Sequence, residues 1–541
     1  MTTFTMMAST IAILALAMAS HAALTGQLIT QKHSQLEWST FLGGNEYDFP
    51  MQMAYHPSGD IIITGQTKSL DFPVTPDAYQ QQYAGGGFDI FLARLSADGT
   101  QLLYATYFGG SGGDTVTSIA LSETGEIVIG GKTLSTDFPT TTNAFSMALD
   151  DSGCGGGDAF VSRFSEDGKI LLSSTFLGAE NSDVIQEIII DQNNNAIATG
   201  DTASANFPIT PGSYSSTIQG PATCPGTFGC QKPCLEGFVT IVSPDATQVL
   251  ASTFFGGSNA ELTTTMTQNI DGEIIIAGQT TSPDFPTTPN AFDTTYNDPS
   301  DLADGFISAL SSDLTQLQWS TFLGGNGVVQ SPFAGQDTVY DIATDTRGNI
   351  IATGWTTSPD FPTTPNAFDT TFNSECNQML CFGDAFVTKL NNEATALISS
   401  SFFGGKNDEI AVTISNNDLD QITIAGPTLS SNIPTTVNAY DSIFNGPSTT
   451  SDGFIARFNA RTNKLLFSTY IGGDDGIGTD TIKDIAKGED DSLIAMGATW
   501  AQDFPTTANA YDTTLGQQFS DAFVTKLTIE PSYVIIQKEK H

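Results

Sequence analysis

Short runs of β-branched and aromatic residues, bounded by Gly, Asp and Pro, recur along the whole chain. Such runs are typical of β-strands rather than of amphipathic helices. One of them reads "STFLGG" at Ser39, and related text returns at Ala105, Ser174, Ser252, Ser320, Ser400 and Ser468. The chain therefore carries seven copies of one repeat, and each copy is expected to hold the same structural elements.

Three further phrases accompany each copy. One apolar run ends in Gly-x-Thr, as in "IIATGWT". A loop follows that contains "DFP" or a variant, and a second apolar run resembles "DAFVTKL". Tight-turn sequences such as "PSGD" and "ETGE" join the first two strands of a unit. Each unit predicts four antiparallel strands, named A to D from the central axis outward. Seven units predict an all-β fold, a single seven-bladed β-propeller.

The order of the phrases predicts how the ring closes. The chain opens on a D-type strand, Leu36–Gly43, and closes on a C-type strand, Asp521–Leu527. We therefore predict that the N-terminal strand completes the last blade, which leaves no open sheet edge. The propeller is expected to span 36–530, between an N-terminal lead at 23–35 and a C-terminal tail at 531–541.

Residues 1–22 have the features of a signal peptide. The apolar run Ile11–Ala19 is too short to span a bilayer, and Ser20-His21-Ala22 is a plausible small-residue cleavage site. No later segment is apolar enough to predict a membrane span. We therefore expect a secreted, periplasmic or surface-displayed protein.

The charge balance limits the possible partners. Among 541 residues there are 18 Lys and Arg against 59 Asp and Glu, which gives a net charge of −41. Such a field repels nucleic acid and anionic membranes and attracts cations. Basic residues recur late in strand C, and we expect them to form a solvated lower rim: Arg94, Arg163, Lys389, Arg457 and Lys526.

Six cysteines suit an oxidising compartment, and all lie in loops between strands B and C. Cys376 and Cys381 are close in sequence and are predicted to form a disulfide. The other four allow three pairings that the sequence leaves open: Cys154, Cys224, Cys230 and Cys234. A metal site in this cluster is the alternative, which the lack of a nearby His disfavours.

The text "STFLGG…GNIIATGWTTSPDFPTTPNAFD…GDAFVTKL", clearest over residues 320–390, resembles the bacterial β-propeller repeat of the SBBP type. That repeat belongs to seven-bladed cell-surface proteins. The resemblance covers roughly residues 36–527. It implies the propeller fold and a secreted or surface setting, and it implies no particular activity.

Acidic residues recur at the predicted start of strand A: Asp48, Asp114, Asp183, Glu261, Asp337, Glu409 and Asp480. Acids also start strand C: Asp89, Asp158, Glu236, Asp304, Asp384, Asp452 and Asp521. A threonine ends strand B in every unit, and these three positions should share one face, the top face. Two interpretations stay open. The acids accept hydrogen bonds that fix the loops, or the A-strand acids bind Ca²⁺, the one cofactor that the sequence suggests.

Catalytic patterns are weak in this sequence. Of four histidines, only His56 lies inside the repeats, and none can be paired with a plausible Ser or Cys nucleophile. Glycine motifs for phosphate or dinucleotides are also lacking, because the Gly-Gly pairs follow strand D without a helix. The protein is therefore more consistent with binding than with catalysis.

The B–C loops vary in length, as recognition loops on a rigid frame do. Trp355 and Trp500, near the ends of B strands, are candidates for stacking on a ligand, although packing between blades is an alternative. The favoured function is a secreted or surface-exposed, non-catalytic binding or adhesion scaffold whose B–C loop face recognises a protein or glycan. The alternative is a carbohydrate-active hydrolase or lyase that uses carboxylates on the top face.

Overall fold

The computed structural model describes residues 33–150, 156–220, 234–297, 302–327, 334–375, 381–417, 419–446, 450–461, 463–473, 478–488, 491–516 and 519–530. These residues form 28 strands joined by turns and loops. None of the described segments is a helix that could cross a membrane. The predicted signal peptide at 1–22 and the tail at 531–541 lie outside these ranges.

The strands fall into four sets of seven. The A strands are β2 (Asp48–Tyr55), β6 (Asp114–Leu121), β10 (Asp183–Ile190), β14 (Glu261–Gln268), β18 (Asp337–Thr344), β22 (Thr413–Asn416) and β26 (Asp480–Lys487). The B strands are β3 (Ile61–Thr67), β7 (Ile127–Thr133), β11 (Ala196–Thr202), β15 (Ile274–Thr280), β19 (Ile350–Thr356), β23 (Gln421–Thr428) and β27 (Leu493–Thr499). The C strands are β4 (Asp89–Leu95), β8 (Asp158–Phe164), β12 (Glu236–Val242), β16 (Asp304–Leu310), β20 (Asp384–Leu390), β24 (Asp452–Asn459) and β28 (Asp521–Thr528). The D strands are β5 (Leu102–Phe108), β9 (Leu171–Leu177), β13 (Val249–Phe255), β17 (Leu317–Leu323), β21 (Leu397–Phe403), β25 (Lys464–Ile471) and β1 (Gln35–Leu42).

Seven antiparallel sheets, each in the order A-B-C-D, form a seven-bladed β-propeller. Blades are numbered 1 to 7 by the order of their A strands, from β2 in blade 1 to β26 in blade 7. The last blade has the order β26-β27-β28-β1, so its outer strand comes from the start of the chain. β1 pairs with β28 from Gln35 opposite Thr528 to Leu42 opposite Ala522. The predicted fold class and the predicted ring closure are both confirmed.

The "DFP" motif anchors each B–C loop in the hydrophobic core. Its phenylalanine is almost fully buried in six blades, and in blade 6 Ile433 takes the same place. In those six blades the ring packs on a strand C phenylalanine with centroids 4.3–4.6 Å apart, as Phe361 does on Phe386. Burial of two aromatic rings against each other explains why the motif recurs.

The glycine of Gly-x-Thr leaves room for a β-bulge in the neighbouring strand A. In blade 5 the register between β18 and β19 shifts between Val339 and Asp341, which is a β-bulge. A side chain at Gly354 would collide with the backbone carbonyl of Thr338 on the bulged strand. The equivalent glycine meets the same obstacle in the other blades, so the close backbone approach requires a residue without Cβ.

The B–C loops first run down the outer edge of their own blade. In blade 1 the Thr75 N–H donates to the Ala105 carbonyl (3.0 Å) and the Tyr107 N–H donates to the Gln80 carbonyl (3.1 Å). The same two bonds recur in all seven blades, and in the last blade they join the loop to β1. This part of the loop therefore covers the edge of strand D instead of rising above the top face, and it protects that edge from pairing with another chain.

The expectation of a solvated lower rim is wrong for three of the five basic residues. Arg163, Lys389 and Arg457 are buried, with 2–5% of their surface exposed. Lys389 lies 2.8 Å from the Asp345 carboxylate in its own blade and 3.8 Å from Asp420 in the next blade. Their long side chains place the ammonium and guanidinium groups against the A–B turns. There they contact polar groups of both their own blade and the next blade.

Replacing Lys389 with methionine is expected to destabilise the protein by about 3 kcal/mol, because the buried Asp345 carboxylate loses its closer ion-pair partner and retains the exposed Arg347 guanidinium, 3.7 Å away. Burial alone would raise the pKa of Asp345, but Lys389 and the turn donors outweigh it and lower the pKa to about 2. Urea denaturation measures the change. Lys169→Met, which breaks an exposed pair with Asp77, is the matched control and should change little. Equal losses in both variants would contradict a special role for the buried pair.

Candidate functional site

The strand register brings the predicted acids and threonines to one face. In blade 1, Asp48 lies opposite Thr67, and Thr67 lies opposite Asp89. The same alignment holds in the other blades, with an isolated bridge between Glu409 and Thr428 in blade 6. The structure therefore places the start of A, the end of B and the start of C together at the top face.

The seven A-strand acids are buried and held by protein donors. Asp337 accepts hydrogen bonds from the Gly325 N–H (2.8 Å) and the Ser358 hydroxyl (2.8 Å). Asp183 accepts a backbone N–H and the hydroxyls of Thr202 and Ser204. All seven have at most 1% of their surface exposed. The acids therefore lock the Gly-Gly turn to the end of strand B, as the first interpretation expected.

The acids at the start of strand C have a different task. Each accepts a backbone N–H from the loop that leads into its strand, as Asp521 does from Gly516 (2.8 Å) and Glu236 from Gln219 (3.0 Å). These acids are also buried. Because they fix the end of the B–C loop and expose almost no surface, they do not favour the alternative of a top-face hydrolase or lyase.

Each C-strand acid lies beside the A-strand acid of the next blade. The first glycine of the Gly-Gly pair leaves room for both: a Cβ on Gly43 would lie 2.5 Å from Asp521 Oδ1 and 2.9 Å from Asp48 Oδ2. Burial, above all, raises the pKa of Asp521 to about 7 and that of Asp48 to about 6. The negative charge of Asp48 adds to the rise at Asp521.

Among the described residues no group of three or more His, Cys, Asp or Glu side chains is arranged to hold a metal ion. At least one oxygen of each A-strand acid accepts an N–H or O–H donor. Ca²⁺ binding at these acids stays a prediction.

A ring of polar side chains in the central channel was not anticipated from the sequence. It consists of the fifth residue counted from each A-strand acid: Gln52, Ser118, Glu187, Thr265, Asp341, Thr413 and Asp484. At several junctions this side chain accepts the backbone N–H of the next blade, as Asp484 does from Met53 (2.8 Å) and Asp341 from Ile414 (2.7 Å). The bulge in strand A turns these side chains toward their neighbours, and the ring links the blades around the axis.

The channel beside this ring encloses a cavity of about 330 Å³. Its wall carries Glu187, Asp341 and Asp484. Burial, with mutual repulsion, raises the pKa of Glu187 to about 8 and that of Asp341 to about 7. Lys483 also lines the cavity, and burial lowers its pKa. The polar fifth position was visible in the sequence, but its direction depends on the bulge.

Trp500 belongs to a group of partly exposed aromatic residues on the top face. This group, the closure cluster, consists of Tyr47, Phe49, Phe88, Trp500 and Phe519. Ring centroids lie 4.2 Å apart for Tyr47 and Phe519 and 5.7 Å apart for Phe49 and Trp500. The Lys68 ammonium lies over the Phe88 ring, 4.3 Å from its centroid, a cation–π arrangement.

The closure cluster breaks the sevenfold repeat. All its members come from blades 1 and 7, the two blades that meet where the ring closes. At the position of Trp500 the other blades carry Lys68, Leu134, Ala203, Thr281, Thr357 and Leu429. Repetition of the frame does not need these aromatic residues, so their concentration at one junction marks this part of the top face as distinct.

Trp355 makes contacts between blades. Its indole Nε1–H donates to Asp408 Oδ1 of the next blade (3.2 Å). Its ring covers Gly383, where any side chain would collide with the indole. The two tryptophans that the sequence singled out therefore differ: Trp355 packs between blades, and Trp500 joins the closure cluster.

His56 does have a serine partner, which the sequence analysis missed. Its Nδ1 lies 2.8 Å from Ser58 Oγ, and its Nε2 lies 3.4 Å from Glu166. Nδ1 also accepts the Ser58 backbone N–H (3.1 Å), as Asp345 accepts a backbone N–H in the turn of blade 5. The Arg94 guanidinium lies 3.2 Å from Nδ1. The group therefore caps a turn and is not arranged as a nucleophile with its base.

The described part of the chain contains two cysteines, Cys234 and Cys381. Both are buried just before a C strand, and neither is a free thiol. The other four, Cys154, Cys224, Cys230 and Cys376, lie outside the described residues. The Cys376–Cys381 disulfide and the remaining pairings stay predictions.

No family model matches this chain, so the SBBP-type repeat remains a resemblance. The regulatory protein FlaEY of Caulobacter vibrioides is 25% identical over 303 residues, which cover 54% of this chain and 29% of that protein. The chain thus matches less than a third of its curated relative's length.

Several solved structures align over most of the chain with low similarity. A protein of unknown function from Dyadobacter fermentans has 8% identity and a TM-score of 0.40 over 92% of this chain and 100% of that chain. Sqt1 from Chaetomium thermophilum has 11% identity and a TM-score of 0.40 over 85% and 97%. A quinohemoprotein alcohol dehydrogenase from Pseudomonas putida has 9% identity and a TM-score of 0.38 over 94% and 78%. The assignment of the fold rests on the strand topology of this chain, which forms a seven-bladed β-propeller.

Proposed function

We propose that this protein is an exported, non-catalytic binding or adhesion scaffold that recognises its ligand at the closure cluster on the top face. The observation that supports this proposal is the departure of blades 1 and 7 from the repeat, which concentrates five partly exposed aromatic residues at one junction. Aromatic side chains with part of their surface in water are common anchors of binding sites.

A glycan is the ligand class that this surface suits best. A sugar presents a C–H face that stacks on aromatic rings and hydroxyls that bond to polar neighbours. Asn45 and Asp71 lie next to the cluster and are hydrogen-bonded to each other, which gives the rim a fixed donor and acceptor pattern. A protein ligand is the other possibility, and the net charge of −41 would favour a basic one.

Export of the protein is part of the proposal and rests on the leader sequence at 1–22 and on the six cysteines. Fractionation of cells that produce the full chain tests it. The protein should be found outside the cytoplasm without residues 1–22, and an uncleaved cytoplasmic product would contradict export.

Replacing Trp500 with alanine is expected to weaken ligand binding about 30-fold, the loss of roughly 2 kcal/mol typical of an aromatic anchor. The ligand would first be found by screening the wild-type protein against a glycan array and then titrated calorimetrically. Because Trp500 is partly exposed and does not belong to the buried core of a blade, the melting temperature of the variant should stay close to that of the wild type.

The matched control is Leu134→Ala. Leu134 holds the position of Trp500 in blade 2 and is 49% exposed, but it lies outside the closure cluster. This variant should bind as the wild type does. If the two variants lose affinity equally, or neither does, recognition at the closure cluster is wrong. A wild-type protein that binds basic proteins and no glycan would reassign the ligand class while keeping the site.

A further inference from the structure

Three of the carboxyl pairs at the blade junctions share an unusual feature. These pairs are Asp89 with Asp114, Glu236 with Glu261, and Asp521 with Asp48. In each pair the first residue starts a C strand and the second starts the A strand of the next blade. One oxygen of each C-strand acid has no hydrogen-bond donor: Asp89 Oδ1, Glu236 Oε1 and Asp521 Oδ1. The three side chains are 0–2% exposed, so bulk water does not reach these oxygens.

At two of the three pairs, the oxygen without a donor lies close to an oxygen of the partner acid. A Cβ on Gly43 would lie 2.5 Å from Asp521 Oδ1 and 2.9 Å from Asp48 Oδ2, and a Cβ on Gly256 would lie 2.9 Å from Glu236 Oε1 and closer still to Glu261 Oε2. Asp48 Oδ2 already accepts the Gly44 N–H (2.7 Å) and the Ser69 hydroxyl (2.8 Å). The A-strand acid is therefore held as an acceptor.

Two ionised carboxylates cannot share such a site at low cost. Taking one charge out of water is expensive, and a second like charge beside it adds repulsion. Other titratable groups act on these pairs: Tyr83, Tyr107 and Asp137 on the first, Asp284 on the second, and Asp71, Tyr107 and Asp512 on the third. None of them is basic, so nothing among them compensates the charge. A protonated carboxyl group, unlike a carboxylate, has an O–H to donate.

We propose that Asp89, Glu236 and Asp521 are protonated at neutral pH and that each donates its O–H to the A-strand acid of the adjacent blade. Each of these junctions is then fastened by a hydrogen bond between a neutral acid and a carboxylate. Such charge-assisted bonds are about twice as strong as neutral ones. The proton also supplies the partner that the three isolated oxygens lack.

The electrostatics agree with this assignment. Burial, followed by the charge of Glu261, raises the pKa of Glu236 to about 8, whereas that of Glu261 rises to about 7. The junction between blades 5 and 6 is the informative exception. There both oxygens of Asp384 accept donors, from Ser374 and Asn373, and its pKa of about 6 lies below that of Glu409, about 8.

The proposal fixes the sign of a pH effect. These folded-state pKa values lie above the unfolded values of about 4, so the folded protein binds more protons between pH ~4 and pH ~8. Stability from these groups is complete below that window and falls as the pH rises through it. The protein should melt at a higher temperature at pH 5 than at pH 8.

Two conservative substitutions at one junction test the assignment. In Glu236→Gln the amide N–H₂ can donate to Glu261 while the amide oxygen keeps the Gln219 N–H, so this variant imitates the protonated acid. It should melt at or above the wild-type temperature at pH 8 and show a weaker pH dependence. In Glu261→Gln the amide nitrogen meets a donor in either orientation, the hydroxyls of Thr280 and Ser282 or the Gly257 N–H. The melting temperature should therefore fall by at least about 2 °C.

Equal destabilisation by the two substitutions at pH 8 would overturn the proposal. Infrared spectroscopy of the wild-type protein is independent of whether the variants fold. It should show the carbonyl stretch of buried protonated carboxyl groups at pH 7, weakened in Glu236→Gln, and its absence would also overturn the proposal. The melting temperature is also compared in EDTA and in millimolar Ca²⁺. If Ca²⁺ raises the melting temperature of the wild type and of neither variant, the junction binds a cation and not a proton, and the proposal is wrong.

Discussion

A chain that starts at Asn45 is expected not to melt cooperatively, because it lacks the strand that closes the ring. β1 contributes Trp38, Phe41 and Leu42, each at most 6% exposed, to the cores on both sides of the last blade. Loss of three such side chains costs about 10 kcal/mol, which is comparable with the whole stability of a typical protein. The deletion also uncovers β28 and leaves the blade 7 loop without the edge that it covers.

The control for this deletion is a chain that starts at His33, which keeps β1 and still lacks the predicted leader. It should unfold in one cooperative transition, as followed by calorimetry and far-UV circular dichroism. If the chain that starts at Asn45 melts like this control, the ring does not depend on its N-terminal strand.

Replacing Asp337 with alanine is expected to destabilise the protein by about 3–5 kcal/mol. The carboxylate is fully buried and accepts both the Gly325 N–H and the Ser358 hydroxyl. Removing it leaves these donors without a partner in a site that water does not reach, and an unsatisfied buried donor carries the full cost of its desolvation. Chemical denaturation measures the loss.

Asp98→Ala is the matched control for Asp337→Ala. Asp98 also accepts a hydroxyl and a backbone N–H, from Ser96 and Thr100, but it lies in an exposed C–D turn. Its replacement should change the free energy of unfolding only slightly, because water can accept the hydrogen bonds of the freed donors. A small effect of Asp337→Ala as well would contradict the structural role of the A-strand acids.

The strands and their order were predictable because they follow from local chemistry. Short β-branched and aromatic runs, the Gly-x-Thr ending and the tight turns predict the strands. The position of "LEWSTFLGG" before the first complete unit predicts the ring closure. The role of the acids as hydrogen-bond acceptors that fix the loops was predictable as one of two interpretations. An acid that fixes a turn is needed in every blade, so its recurrence in all seven units favours this interpretation.

The rest depends on geometry that repeats do not encode. The B–C loops were expected to present a recognition face, but the exposed edge of strand D draws their first part down the outside of each blade. The side chains of Glu187, Asp341 and Asp484 point into the channel because of a bulge in strand A. The sequence alone does not predict this bulge. The closure cluster joins residues from both ends of the chain, Phe49 and Trp500 among them, and the contact exists only because the ring closes.

The central claim, recognition at the closure cluster, is tested most directly by fluorine NMR of protein labelled with 5-fluorotryptophan. The chain has four tryptophans, and Trp500→Phe assigns the resonance of interest. On addition of a glycan found by the array, the Trp500 resonance should shift, while those of Trp38, Trp319 and Trp355, which pack in or between blades, stay in place. Binding that leaves the Trp500 resonance unchanged would contradict the claim.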